Sequence, residues 1–247
     1  IGCFGVRPMV AELGKNLPLP RIVIVGEPTE MKVVDAHKGP IRWQMDIKGR
    51  PAHSSMSHLG VNAITWAGHL LGELSKIEED LKHKTLDPRF EPPYSTFQVT
   101  KIEGGTASNI IPSSCTLGFE ARALDADEIP YIEDRIQNFI TTTCSKQISQ
   151  KAPEAGISFF RTNYVPPFKT EKNSEAVALA LALGSQNETA AVSYATEAGF
   201  FQNAGSSAVV CGPGRIAEAH TANEWIAETE LEKCLQFLKK LGEWCAH

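Results

Sequence analysis

The chain has 247 residues, 42% of them hydrophobic, and a formal net charge of −5. That gives room for one large domain or two small ones, each with its own core. Lys and Arg are scattered, which excludes the basic stripe of a nucleic-acid or anionic-lipid binder and favours a small-molecule partner.

No apolar run approaches the roughly 20 residues of a membrane-spanning helix. The Cys residues at 3, 115, 144, 211, 234 and 245 form no C-x-x-C pair. Reduced thiols and a cytoplasmic location are the expectation. In chain order, Val6, Met9, Val10 and Leu13 share one face, so residues 1–13 read as a helix already under way, with a piece expected upstream. The apolar run Ile22 to Val25 reads as a short buried strand ending at Gly26-Glu27-Pro28-Thr29. Ile41, Trp43, Met45 and Ile47 alternate with polar residues, as in a half-buried strand. Val61, Ile64, Leu70, Leu71, Leu74, Ile77 and Leu81 predict an amphipathic helix over 61–82. Strands are expected at 96–103 and 115–123, a helix at 127–145 and a strand at 157–160. This βαββαβ order is that of a ferredoxin-like unit.

Tyr164-Val165-Pro166-Pro167 reads as a stiff connector. Beyond it the pattern predicts a helix at 174–183, strands at 190–194 and 207–211, and a helix from about 230. Thr229 and Glu232 have capping-box spacing, and Leu231, Leu235, Leu238 and Leu241 are expected to form the inner face of that last helix. The expected fold is α/β: one domain from 1–37 and 163–247, with a ferredoxin-like domain, 38–162, inserted between its halves.

Several residues can carry chemistry. Glu27 follows a strand and is held extended by Pro28, so its carboxylate is aimed from the carboxyl end of a sheet, where open α/β proteins bind ligands. A solvated turn acid is the competing reading. His220 follows the strand at 207–211 and the turn Gly212-Pro213-Gly214. Glu and His are ordinary zinc ligands, but a catalytic zinc takes three protein groups. A hydrogen-bonded loop His is an equal reading. In the inserted domain, His53 follows a Pro turn in a small-residue setting and can donate to an oxyanion; bonding to Ser54 or Ser55 is the alternative. Gly104-Gly105 precedes Asn109, a donor and acceptor, and Arg122 can grip a carboxylate bidentately, or pair with a surface acid. The Gly pair lacks phosphate-loop spacing. No G-x-S-x-G is present, and Cys211 reads as a small core hydrophobe rather than a nucleophile.

Several motifs occur in one order: Gly26-Glu27-Pro28-Thr29, Ala36-His37-Lys38-Gly39, His53-Ser54-Ser55, Gly60-Val61-Asn62-Ala63-Ile64, Gly104-Gly105 with Ser108-Asn109, Thr196-Glu197-Ala198, and Gly212-Pro213-Gly214 with Ala219-His220. Together they resemble the di-zinc amidohydrolase and peptidase family of acetylornithine deacetylases, succinyl-diaminopimelate desuccinylases, aminoacylases and glutamate carboxypeptidases, its acetylornithine branch most. The resemblance implies a zinc-peptidase-like catalytic domain, here incomplete, with an inserted lid that makes a homodimer. It implies two zinc ions per intact subunit, cobalt being an alternative, with Glu27 on one metal and His220 on the other. It implies that His53 stabilises the oxyanion in the partner's site, that Asn109 and Arg122 contact a substrate carboxylate, and that Glu197 and Gly212 line the pocket. The activity implied is hydrolysis of an N-acyl amino acid, first N-acetylornithine in arginine biosynthesis, then the substrates of the other branches. A non-catalytic dimerisation or binding module is the reading from another class. The family's early His-x-Asp motif, bridging Asp and Glu-Glu pair have no match here, so the chain by itself is expected to be inactive.

Overall fold

The computed structural model describes residues 2–246. It divides into two compact units: Ile1–Lys38 with Val165–His247, and Gly39–Tyr164.

The second unit is built on β3 (Gly39–Lys48), α2 (Ala63–Lys84), β4 (Thr96–Gly104), β5 (Ser114–Ala123), α3 (Glu128–Phe139), α4 (Lys146–Lys151) and β6 (Gly156–Tyr164). The four strands form one antiparallel sheet in the order β4-β5-β3-β6. That is the ferredoxin-like order, reached because each helix returns the chain across one face. Alternation decides which face. Ile41, Trp43, Met45 and Ile47 of β3 and Cys115, Leu117, Phe119 and Ala121 of β5 are buried with Ala67, Leu70, Leu74, Ile77 and Leu81 of α2. Trp43 stacks on Phe119 at 5.7 Å, and its indole N–H donates to Glu133 of α3 at 2.7 Å, which satisfies the buried ring's one polar atom.

Two boundaries differ from expectation here. Asn62 caps α2 by accepting from Thr65 N–H at 3.0 Å, and the buried stripe starts at Ala63, leaving Ile64 40% exposed. The helix expected over 127–145 instead runs through α3 into a π-helical stretch at Ile140–Ser145 and on into α4. Ile140, Cys144 and Ile148 stay buried through that change of winding.

The first unit holds α1 (Val6–Glu12), β1 (Ile22–Val25), β2 (Val34–His37), β7 (Phe168–Lys169), α5 (Glu175–Gly184), β8 (Ala190–Val192), α6 (Ala198–Asn203), β9 (Ser207–Val210) and α7 (Glu228–Cys245). Its sheet runs β1-β9-β2-β7, with β8 also pairing with β2. β1 and β9 are parallel, Ile22 opposite Ser207 through Val25 opposite Val210. β1 is half-buried throughout rather than buried, as befits an edge strand.

Two helices depart from expectation. Among the described residues α1 begins only at Val6, after left-handed Gly2 and Cys3, and buries none of its own residues. In α7 the capping box does not form. Ala227 is the N-cap, it makes no side-chain cap bond, and Thr229 lies inside the first turn. Leu231, Leu235 and Leu238 are 49%, 54% and 52% exposed, while Glu230 and Phe237 are buried. Glu230 turns inward because its carboxylate accepts from Gly214 N–H at 3.3 Å and from Lys233 at 2.6 Å. Phe237 then fills the space among Met31, Val33 and Val209, and Leu241 is the one expected Leu that packs against this cluster.

Candidate functional site

The adjacency of β1 and β9 puts their carboxyl ends side by side, and the two turns that follow are zipped together. Thr29 N–H and Met31 N–H donate to Gly212 O at 3.1 and 2.9 Å, Gly212 N–H donates to Thr29 Oγ1 at 3.1 Å, and Glu30 N–H donates to Gly214 O at 2.8 Å. The backbones touch: a Cβ on Gly212 would lie 2.4 Å from Gly26 C and 2.5 Å from Glu27 O. Tyr194 Oη donates to Pro28 O at 2.7 Å, pinning the turn from its other side.

Glu27 emerges half-buried from this clamp. Burial raises its pKa, Glu197 raises it further, and His220 opposes both. Burial, then Glu197, push the Cys3 thiol up to about 12. Burial, then Glu27, push Tyr194 up to about 12. Glu27, Glu197, His220, Cys3 and Tyr194 therefore share one electrostatic neighbourhood in the first unit. His220 is exposed, adopts a left-handed φ of 62°, and donates its backbone N–H to Glu224 at 3.1 Å.

Sequence reasoning singled out Glu197 without finding what holds it. His37 at the end of β2 is 1% exposed. Its Nε2 accepts the N–H of Thr196 at 3.2 Å, so the ring proton sits on Nδ1, which donates to Lys38 O at 3.0 Å. Burial lowers its pKa to about 4, so the ring is neutral at pH 7. Thr196 Oγ1 in turn accepts from Ala198 N–H at 3.1 Å, which orients the turn bearing Glu197. The two motifs Ala36-His37-Lys38-Gly39 and Thr196-Glu197-Ala198 were the available signal; only the fold joins them.

The second unit gathers His53 and Asn109. Their loops are bridged by Ser54 N–H donating to Asn109 O at 2.9 Å, and His53 pairs with Ile110. His53 Nδ1 lies 2.7 Å from Ser55 Oγ and accepts from Ser55 N–H at 3.3 Å. Its Nε2 has no partner among the described residues. Gly105 carries φ +81° at the turn before Asn109, which a glycine meets without strain. Arg122 lies on β5, on the sheet face away from the helices. Its Nε donates to Glu120 at 2.6 Å, and Arg42 Nε donates to the other oxygen of Glu120 at 2.5 Å.

The donor chemistry of Glu27 and His220, a carboxylate and an imidazole, is of the kind zinc takes. Among the described residues, however, no three His, Cys, Asp or Glu come close enough to hold a metal ion. The ligand set of a catalytic zinc is thus not met by these residues.

Residues 35–147 match the peptidase dimerisation domain family. An acetylornithine deacetylase from Myxococcus xanthus is 33% identical over 236 residues, covering 95% of this chain and 59% of that protein. One from Pasteurella multocida (strain Pm70) is 31% identical over 231 residues, covering 92% and 58%. The chain thus spans just under three-fifths of the length of these relatives. Among solved structures, an aminopeptidase from Bacillus cereus ATCC 10987 superposes with a TM-score of 0.72 at 19% identity, over 93% of this chain and 58% of that one. The chain is thus similar in sequence to these deacetylases and in fold to that aminopeptidase, and its residues 35–147 carry the match to the peptidase dimerisation domain.

Proposed function

We propose that this chain is part of a metal-dependent amidohydrolase that removes the acyl group from an N-acyl amino acid, N-acetylornithine first. The observation that carries the proposal is the grouping of Glu27, Glu197 and His220 at the joined ends of β1 and β9 in a chain 33% identical to a deacetylase over 95% of its length. In this reading Glu27 and His220 would each supply one ligand, to different members of a pair of metal ions, zinc or cobalt. The metals, when bound, supply an activated water and Lewis acidity. Glu197, held by the His37–Thr196 bond, and Gly212 line the pocket. His53 offers its unpartnered Nε2 to an oxyanion across a dimer. Asn109 offers its amide to the substrate, and Arg122 the guanidinium edge that Glu120 leaves open.

The lid dimerises, on this proposal, through the flank of α2 that carries Ile64 and through the free edge of β4. Ile64 and Ile102 are 40% and 53% exposed, and among the described residues β4 has a neighbouring strand on one side only. A single sedimenting monomer of the chain would refute that. A panel of N-acyl amino acids assayed on the full-length gene product tests the chemistry; no release of acetate from N-acetylornithine sinks the first substrate. The 247-residue chain by itself is expected to be inactive and to bind zinc weakly, because one ligand per metal cannot hold it. Tight stoichiometric uptake in a calorimetric titration would count against this.

A further inference from the structure

One cavity in the second unit opens beside the loops that carry His53 and Asn109: Ser54, Ala107, Ser108 and Ile110 line it, whereas His53, Asn109 and Arg122 do not. It has a volume of about 660 Å³, within the range of roughly 300–1,000 Å³ typical of small-molecule pockets. Val61, Trp66 and Ile111 give it an apolar lining, and His69, Gln147 and Lys151 are among its polar groups. Its walls are fixed by backbone bonds: Ile111 N–H to Ala52 O at 2.8 Å and Ala63 N–H to Pro112 O at 2.9 Å. Trp66 is half-buried, with its ring 5.3 Å from that of His69. It lies two residues from Ile64, hence roughly 160° around α2 from the flank proposed for dimerisation.

The charge balance of this cavity is unlike that of the chain. The protein carries a net charge of −5, yet no Asp or Glu lines the cavity and Lys151 does. The nearby carboxylate of Glu154 is already taken, because Arg50 Nε and Nη2 donate to its two oxygens at 2.6 and 2.8 Å. Arg50 also donates from Nη1 to Lys151 O at 3.1 Å, which fixes the end of α4 that carries the lysine. Lys151 Nζ has no partner among the described residues. A lysine with no carboxylate partner among the described residues, on a cavity that an indole and an apolar floor also line, suits one kind of guest: an anion with an apolar body.

We propose that this cavity binds a small organic monocarboxylate, its carboxylate on Lys151 Nζ and its apolar body against Trp66, Val61 and Ile111. The test is titration of the 247-residue chain with indole-3-acetate, indole-3-acetamide and acetate, followed by calorimetry. Saturable binding of indole-3-acetate is expected, with the amide and acetate each at least about tenfold weaker. Lys151→Gln weakens indole-3-acetate about tenfold and leaves the amide unchanged, and Trp66→Leu weakens both indoles; Lys151 is exposed, so its variant keeps the melting temperature of the parent. Equal affinity for acid and amide, no loss in Lys151→Gln, or no saturable binding at millimolar indole-3-acetate would each overturn the proposal.

Discussion

Substituting Gly212 by Ala tests the clamp that aims Glu27. The added Cβ would meet Gly26 C and O at 2.4 Å and Glu27 O at 2.5 Å, all backbone atoms. Ordinary contact starts near 3.4 Å, so the strands must part by about 1 Å. The parallel register of β1 and β9 and the bonds from Thr29 and Met31 to Gly212 O resist that movement. The cost should therefore reach the upper end for overpacking, about 3 kcal/mol. In a chain of 247 residues that lowers the melting temperature by about 6–12 °C. Gly242→Ala is the control. It sits inside α7 with nothing within 4 Å of its Cβ, and should stabilise by about 1 kcal/mol. Scanning calorimetry reads both, with the loss confined to the transition of the first unit. Melting of Gly212→Ala within about 1 °C of the parent would refute the reasoning.

Further outcomes follow from other contacts. His37 has a folded pKa of about 4, below the usual 6.5 of the unfolded chain, so the unfolded state binds its proton first as pH falls. The stability it contributes is complete above pH 6.5 and is lost between about pH 6.5 and 4, about 3 kcal/mol in all. Urea titrations across that window should show the slope, and His37→Gln should flatten it; a parent curve already flat would contradict the buried neutral ring. In α7, Phe237→Ala should cost about 3–4 kcal/mol and Leu238→Ala under about 0.5 kcal/mol. The reverse ranking in denaturant melts would mean that the Leu stripe is the inner face after all. Leu74→Ala should cost about 3–5 kcal/mol and act on the transition of the second unit, since Leu74 is 1% exposed beneath the sheet. Loss in the other transition would refute the assignment.

The legible parts of this protein are those written in local pattern. The alternation from Ile41 to Ile47 and the 3.6-residue period from Ala67 to Leu81 fix a strand and a helix, because each face of an element has one solvent or the other. Gly26-Glu27-Pro28 is legible for the same reason: a strand, a stop and a stiff residue. The strands β2 and β7, of four and two residues, are not, since neither is a plain apolar run like β1 nor long enough to show a period, whereas β8 falls inside the strand expected at 190–194. The phase of α7 is not either. Its Leu spacing is a sound amphipathic signal, yet Glu230 bonds to Gly214 N–H and brings Phe237 inward.

By itself, then, the sequence determined the α/β class, the inserted βαββαβ unit and the residue types able to do chemistry, because period and turn chemistry act over a few residues. Tertiary structure alone decided which of those residues meet. Glu27 reaches Gly212 through the pairing of β1 with β9, and His37 reaches Thr196 across 159 residues. Such contacts depend on which strands become neighbours. That choice is set by burial summed over the whole sheet, and no short window of sequence contains it.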